Sequence, residues 1–216
     1  MLTNSGSLTI ENFEYAIKEL ASRDSDLAYA INRWGNPPFW TYPSDFSGIV
    51  IIILTQQVSL ESAKSTFAKL THVLRSVTPA QFLSLDSMTL KNIGFSRQKA
   101  TYVRGIAQAI VNNHLDLKSL ETMDNQAVRD YLVAFKGIGL WTADTYLLFS
   151  LCREDIWPSA DLALLRAIQD LKCLPTIPVP EEGDTLAQSW RPWRSVAARI
   201  LWYHYLCLLG RISPDK

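Results

Sequence analysis

Two short stretches of this 216-residue chain hold residues that could do chemistry. One is a single carboxylate, Asp161, directly behind Trp157-Pro158-Ser159-Ala160. A carboxylate held in place stabilises positive charge growing beside it and can orient or deprotonate a water molecule. It also sits where a cap would sit for a helix running from Leu162 to Leu171. The other is the glycine-flanked turn Gly137-Ile138-Gly139, with a helical run opening at Trp141. Gly137 can take backbone angles closed to other residues, and Gly139 leaves no side chain to block a close neighbour. The new helix begins with N–H groups that lack internal partners; with the helix dipole they favour an anion such as phosphate. Gly-x-Gly alone is a weak signal, and an ordinary tight helical hairpin satisfies it equally.

The elements that must position these residues read as helices. Val128, Tyr131, Leu132 and Phe135 recur at helical spacing, so one helix, with Asp124 as its cap, leads into the turn. Residues 8–33 read as an extended lead-in and one helix. Residues 36–43 contain three prolines and cannot be helical; with Phe39, Trp40 and Tyr42 this loop suits either a plug over the core or a pocket wall. Ser44 or Asp45 can cap the apolar stretch from Phe46 to Val58. The β-branched run from Ile49 to Ile53 also fits a buried strand, but no partner strand appears, so helix is preferred. Gln56, Gln57 and Ser59 end that helix in a polar cluster suited to a cap or a groove contact. Further helices are expected through Leu70, after Thr78-Pro79, from Ser87 to Gly94 and after Ser96. Pro175, Pro178 and Pro180 make a loop before a final helix from Trp193 to Leu209. The fold class is all-α.

Composition bounds the function. The chain is long enough to bury a core, and 48% of it is hydrophobic, as in an ordinary globular domain. Net charge is zero, which argues against non-specific coating of nucleic acid but leaves room for a local basic face. Cys152, Cys173 and Cys207 are too widely spaced for a zinc or iron–sulfur pattern and imply no disulfide. The first residues show no secretory signal, and the longest aliphatic run is too short to span a bilayer, so a reducing, soluble compartment is expected.

Five segments occur in order between residues 53 and 205: ILTQQVSLESA, GFSRQKATYVRGIA, FKGIGLWTADTYLL, WPSADLALLRAI and WRPWRSVAARILWYHY. Together they resemble the helix-hairpin-helix DNA glycosylases, specifically the DNA-3-methyladenine glycosylase II (AlkA-like) family. The resemblance implies two helical lobes flanking a cleft, with the hairpin at its rim. Lobe one would cover about residues 45–120; lobe two would cover about 125–216 with the amino-terminal segment 1–44. Too few residues precede the Ile49 helix for the amino-terminal β-domain of longer relatives.

The same resemblance implies roles. Asp161 falls on the family's catalytic aspartate, and the acidic residue many relatives carry just before it is Ala160 here. Trp141 and Trp202 fall on base-pocket positions; Trp40 and Tyr42 are further candidates, and Thr145 replaces a pocket tyrosine of some relatives. Gln57 falls where relatives place the wedge that fills the vacated base stack. Lys136, Gly137, Ile138, Gly139, Arg191 and Arg194 would meet DNA, and the backbone oxygens of Val133, Phe135 and Ile138 could hold Na+ or K+; no other cofactor is required. Strand-nicking relatives carry a lysine two places after the second hairpin glycine, where this chain has Trp141, so no Schiff base forms there. The expected function is a monofunctional glycosylase hydrolysing the N-glycosidic bond of alkylated purines (3-methyladenine and 7-methylguanine types) in duplex DNA by base flipping. The alternative is a weak or inactive homologue that binds abasic or damaged DNA. A monomer is expected, away from membranes, in the cytoplasm of a bacterium or the nucleus of a eukaryote.

Overall fold

The computed structural model describes residues 6–212 of the protein. Among them the regular elements are helices, and extended pairing is confined to an isolated antiparallel bridge between Ser7 and Arg153. The chain divides into two compact units. One takes the residues up to Trp40 and those from Cys152 onward; the other is Thr41–Leu151.

The Thr41–Leu151 unit contains α3 (Phe46–Thr55), α4 (Leu60–Leu74), α5 (Pro79–Ser84), α6 (Ser87–Ile93), α7 (Arg97–Val111), α8 (Asn125–Val133) and α9 (Leu140–Phe149). The β-branched run is helical. Asp45 starts α3 by accepting the Ser47 N–H at 2.8 Å, and α3 packs on α4, α7 and α9. Ile49, Val50, Ile52, Ile53 and Leu54 are all buried, each such side chain contributing about 1.5–3 kcal/mol. The helix stops at Thr55, three residues before the expected Val58, because Gln56 leaves helical geometry at ψ 123°. The hairpin helices fall in this unit, so its boundary lies after Leu151 rather than near residue 120. Their attachment is physical: Tyr146 Oη donates to the Ser44 carbonyl at 2.6 Å, and the Tyr42 N–H donates to the Phe149 carbonyl at 2.9 Å.

The other unit contains α1 (Ile10–Arg23), α2 (Ser25–Trp34), α10 (Leu162–Leu171), α11 (Pro180–Ala187) and α12 (Arg194–Leu208). Here α12 is central and packs on α1, α2 and α10. The single helix expected before residue 33 is two. Asp24 takes extended angles, and its carboxylate caps α2 through the N–H groups of Asp26 and Leu27 while accepting Trp190 Nε1–H at 2.8 Å. The proline loop also ends earlier than expected. Pro180 opens α11 instead of breaking it, since the first helical position needs no N–H.

α12 carries a buried imidazole. Trp34 Nε1–H lies 3.0 Å from His204 Nδ1, and His204 Nε2 lies 2.8 Å from Asp170 Oδ2. An indole nitrogen only donates, so Nδ1 accepts, and the neutral ring carries its proton on Nε2 toward Asp170. Burial holds the His204 pKa below its ordinary value of 6.5. The unfolded chain therefore takes up this proton first; the stabilising contribution is complete above pH 6.5 and is lost as pH falls below it. The Tm followed by circular dichroism is expected to drop between about pH 7.5 and pH 5.5. His204→Gln, which cannot titrate, should lower Tm at neutral pH by about 2–6 °C and flatten that dependence. An equal slope in both proteins would exclude His204 as the responsible group.

Candidate functional site

The hairpin is built from α8, the turn and α9. Asp124 caps α8 by accepting the Ala127 N–H at 2.8 Å. Arg129 Nε then meets Asp144 Oδ1 at 2.6 Å, an ion pair little exposed to solvent that staples α8 to α9. The sequence signal for it was a lone acid inside an apolar helix. Ile138 is buried and anchors the turn, and its N–H donates to the Phe135 carbonyl at 3.1 Å. Lys136 and Gly139 are exposed, and Leu140 keeps 63% of its surface exposed despite being apolar.

The two glycines serve different needs. Gly137 has φ +98°, and a Cβ there would lie 2.3 Å from Tyr102 Cγ, so conformation and space both demand glycine. Gly139 has φ −95°, and a Cβ there would meet nothing within 4 Å. Nothing inside the protein requires glycine at that position. It is the N-cap of α9 and offers no side chain to cap that helix, so the N-terminus of α9 presents backbone only.

Beside the turn lies a polar hollow of about 280 Å³, walled by Gln56, Gln57, Gln98, Lys99 and Tyr102. Lys99 was not singled out by the sequence. Its Nζ donates to the Leu54 carbonyl at 2.7 Å, and burial holds its ammonium below the ordinary value of 10.5. Gln57 is exposed and has φ 56°, a left-handed conformation unusual for a residue with a side chain. The Val133 carbonyl belongs to the last turn of α8, whose C-terminal carbonyls have no helical partner. The Phe135 carbonyl keeps a second lone pair beyond the one accepting from Ile138. Neutral backbone oxygens of this kind are ligands for hard cations rather than soft metals.

In the other unit, Asp161 is 8% exposed and is the N-cap of α10. One oxygen, Oδ1, accepts from the N–H groups of Ala163 at 2.9 Å and Leu164 at 3.0 Å, and from Trp202 Nε1–H at 3.1 Å. The preceding turn is held from α11: Asp184 accepts Trp157 Nε1–H at 3.1 Å and the Ser159 hydroxyl at 2.8 Å. Asp184 was also missed by sequence, since an acid in a surface-like helix carries no signal.

Several expected roles change. Trp202 reaches Asp161 through its ring nitrogen, which makes it a hydrogen-bond donor as well as a half-buried aromatic surface. Thr145 is 3% exposed and donates its hydroxyl to the Trp141 carbonyl at 2.7 Å, a back-bond to its own helix. Trp141 itself is half-buried. Trp40 and Tyr42 do not form one wall. Trp40 packs edge-on against Tyr203, with its carbonyl accepting from buried Arg199, whereas Tyr42 lies against Phe149 in the other unit. Arg194 is committed internally: its fork grips both Asp155 carboxylate oxygens at 2.6 and 2.9 Å, which removes it as a phosphate contact. Arg191 is exposed and only 3.4 Å from the same carboxylate, so it keeps reach.

Residues 50–195, more than half the chain, match the HhH-GPD superfamily of base excision DNA repair proteins. The chain is 28% identical to the alkylbase DNA glycosidase-like protein mag2 of Schizosaccharomyces pombe, over 88% of this chain and 93% of that one. It is 27% identical to DNA-3-methyladenine glycosylase 1 of the same yeast, over 73% of this chain and 71% of that protein. The solved structure of the yeast 3-methyladenine DNA glycosylase Mag1 in complex with abasic DNA superposes with TM-score 0.81 at 24% identity, covering 94% of this chain and 99% of that one, which establishes the shared fold.

The two glycines are expected to separate folding from binding. Gly137→Ala should lose about 1–3 kcal/mol of stability from the clash and the positive φ. Gly139→Ala should cost under about 1 kcal/mol of stability yet weaken duplex DNA binding about tenfold, read by thermal melts and fluorescence anisotropy. Undiminished DNA affinity in Gly139→Ala would remove the turn from the DNA interface.

Proposed function

The chain belongs to the HhH-GPD superfamily of base excision DNA repair proteins, and from that premise we propose that it is a DNA-3-methyladenine glycosylase of type II. It would hydrolyse the N-glycosidic bond of alkylated purines in duplex DNA and leave an abasic site. The observation that carries this reading is the nearly buried Asp161 carboxylate, immobilised through Oδ1 by three N–H donors.

The chemistry follows from charge. Alkylation at a ring nitrogen makes the purine cationic, so it leaves with little help from an acid. Positive charge then builds on the deoxyribose, and a preorganised carboxylate stabilises it and orients or deprotonates the attacking water. A carboxylate this buried cannot reach into a stacked duplex, so the nucleotide must come to it by leaving the stack. The half-buried Trp202, bonded to Asp161, would offer a cationic base stacking and cation–π attraction. Gln57 fills the vacated stack and hydrogen-bonds the orphaned base.

The grip is assigned to the hairpin. The N-terminus of α9 faces a phosphate with its backbone N–H groups, Gly139 lets the strand approach, and Lys136 and Arg191 add charge. Val133, Phe135 and Ile138 would hold Na+ or K+ on their backbone oxygens, which would supply positive charge beside a bound phosphate. Trp141 occupies the position from which lyase relatives attack the sugar and has no amine, so the reaction stops at base release. No described helix is long and apolar enough to cross a membrane, and the proposed partner is duplex DNA met by a monomer.

Incubation with methylated duplex DNA tests the proposal. The wild-type protein is expected to release 3-methyladenine or 7-methylguanine. Asp161→Asn should release either at least about a hundredfold more slowly while keeping its affinity for abasic DNA. Borohydride should trap no protein–DNA adduct. Tight abasic-DNA binding with no base released by the wild type would replace the enzyme with a binding module.

A further inference from the structure

The last residues of α3 are tied down on two sides. The Leu54 carbonyl accepts from Lys99 Nζ on α7 at 2.7 Å. Two residues later, Gln56 sends its amide nitrogen to the hairpin, donating to the Gly137 carbonyl at 3.0 Å and to Thr142 Oγ1 at 3.0 Å. Those two acceptors are the turn itself and the first turn of α9. The next residue along the chain, Gln57, is exposed and held at φ 56°. A non-glycine residue in that conformation is uncommon, and here it directly follows the tethered Gln56.

We propose that Gln56 is a positioning residue: its amide clasps the hairpin turn to the tip of α3, so that gripping the DNA backbone also sets where that tip, and Gln57 with it, meets the duplex. The proposal rests on the hairpin and wedge readings given above. A primary amide fits the task because it carries two N–H donors on one nitrogen and can serve two acceptors together. Gly137 sits close against Tyr102, which leaves no room for a side chain there. Gln56 is only half-buried, so its two hydrogen bonds contribute little to global stability and much to local geometry.

The test compares wild type with Gln56→Met, which keeps length and loses both donors, and with Thr142→Val, which keeps volume and loses one acceptor. Affinity is measured for an intact duplex and for the same duplex with one abasic site, and 2-aminopurine beside that site reports entry of a side chain into the stack. Gln56→Met is expected to keep its affinity for intact DNA within about twofold while its preference for the abasic duplex falls about tenfold and the 2-aminopurine response collapses. Thr142→Val should show a smaller loss of the same kind. An unchanged preference in Gln56→Met overturns the clasp. So does a parallel fall for both duplexes, since that would mean Gln56 merely holds the hairpin upright. Gln57→Ala is measured alongside and judges the wedge separately: a preference insensitive to Gln57→Ala retires that residue's role, whereas the clasp is decided by Gln56→Met.

Discussion

A nearly buried carboxylate needs hydrogen-bond donors, and helices α10 and α12 supply them to one oxygen of Asp161. Burying an ion without hydrogen bonds costs several kcal/mol or more, which no small domain can leave uncompensated. Here α10 supplies two N–H groups and the positive end of its dipole, and α12 supplies the Trp202 indole. Asp184 on α11 fixes the turn from which Asp161 emerges. The cap role and the proposed catalytic role are therefore one arrangement: the donors that start the helix also hold the carboxylate in a single orientation.

Net charge is zero, and several basic side chains are spent on contacts that each stay within one unit. Arg129 closes the hairpin on Asp144, Arg194 grips Asp155, and Lys172 meets Asp26. Arg199 is fully buried against Phe13 and Phe39, and burial draws its pKa down to about 10. Other cations stay exposed, among them Lys91, Arg97 and Lys136 in the Thr41–Leu151 unit.

Two places show how local reading and tertiary context part company. Pro180 looked like a breaker and is a helix start, because a proline's effect depends on whether its missing N–H was needed. Thr145 falls on a pocket position by resemblance, yet its hydroxyl closes onto the carbonyl four residues back and its surface is covered. Periodicity reports which residues share a face; it does not report what that face meets.

The linear chain by itself determined the helical class, most caps, the glycine turn and the lone carboxylate after Pro158. Each of those rests on interactions within a few residues, such as Asp45 with Ser47, Asp124 with Ala127 and Asp161 with Ala163. What lay beyond it were contacts far apart in sequence: Gln56 with Gly137, Lys99 with Leu54, Trp202 with Asp161, Asp184 with Trp157. These residues carried no signal of such contacts, because a side chain's partner distant in sequence leaves no mark on local pattern. Only the packing of α3 on α7 and α9, and of α10 on α11 and α12, brought those groups within hydrogen-bond reach.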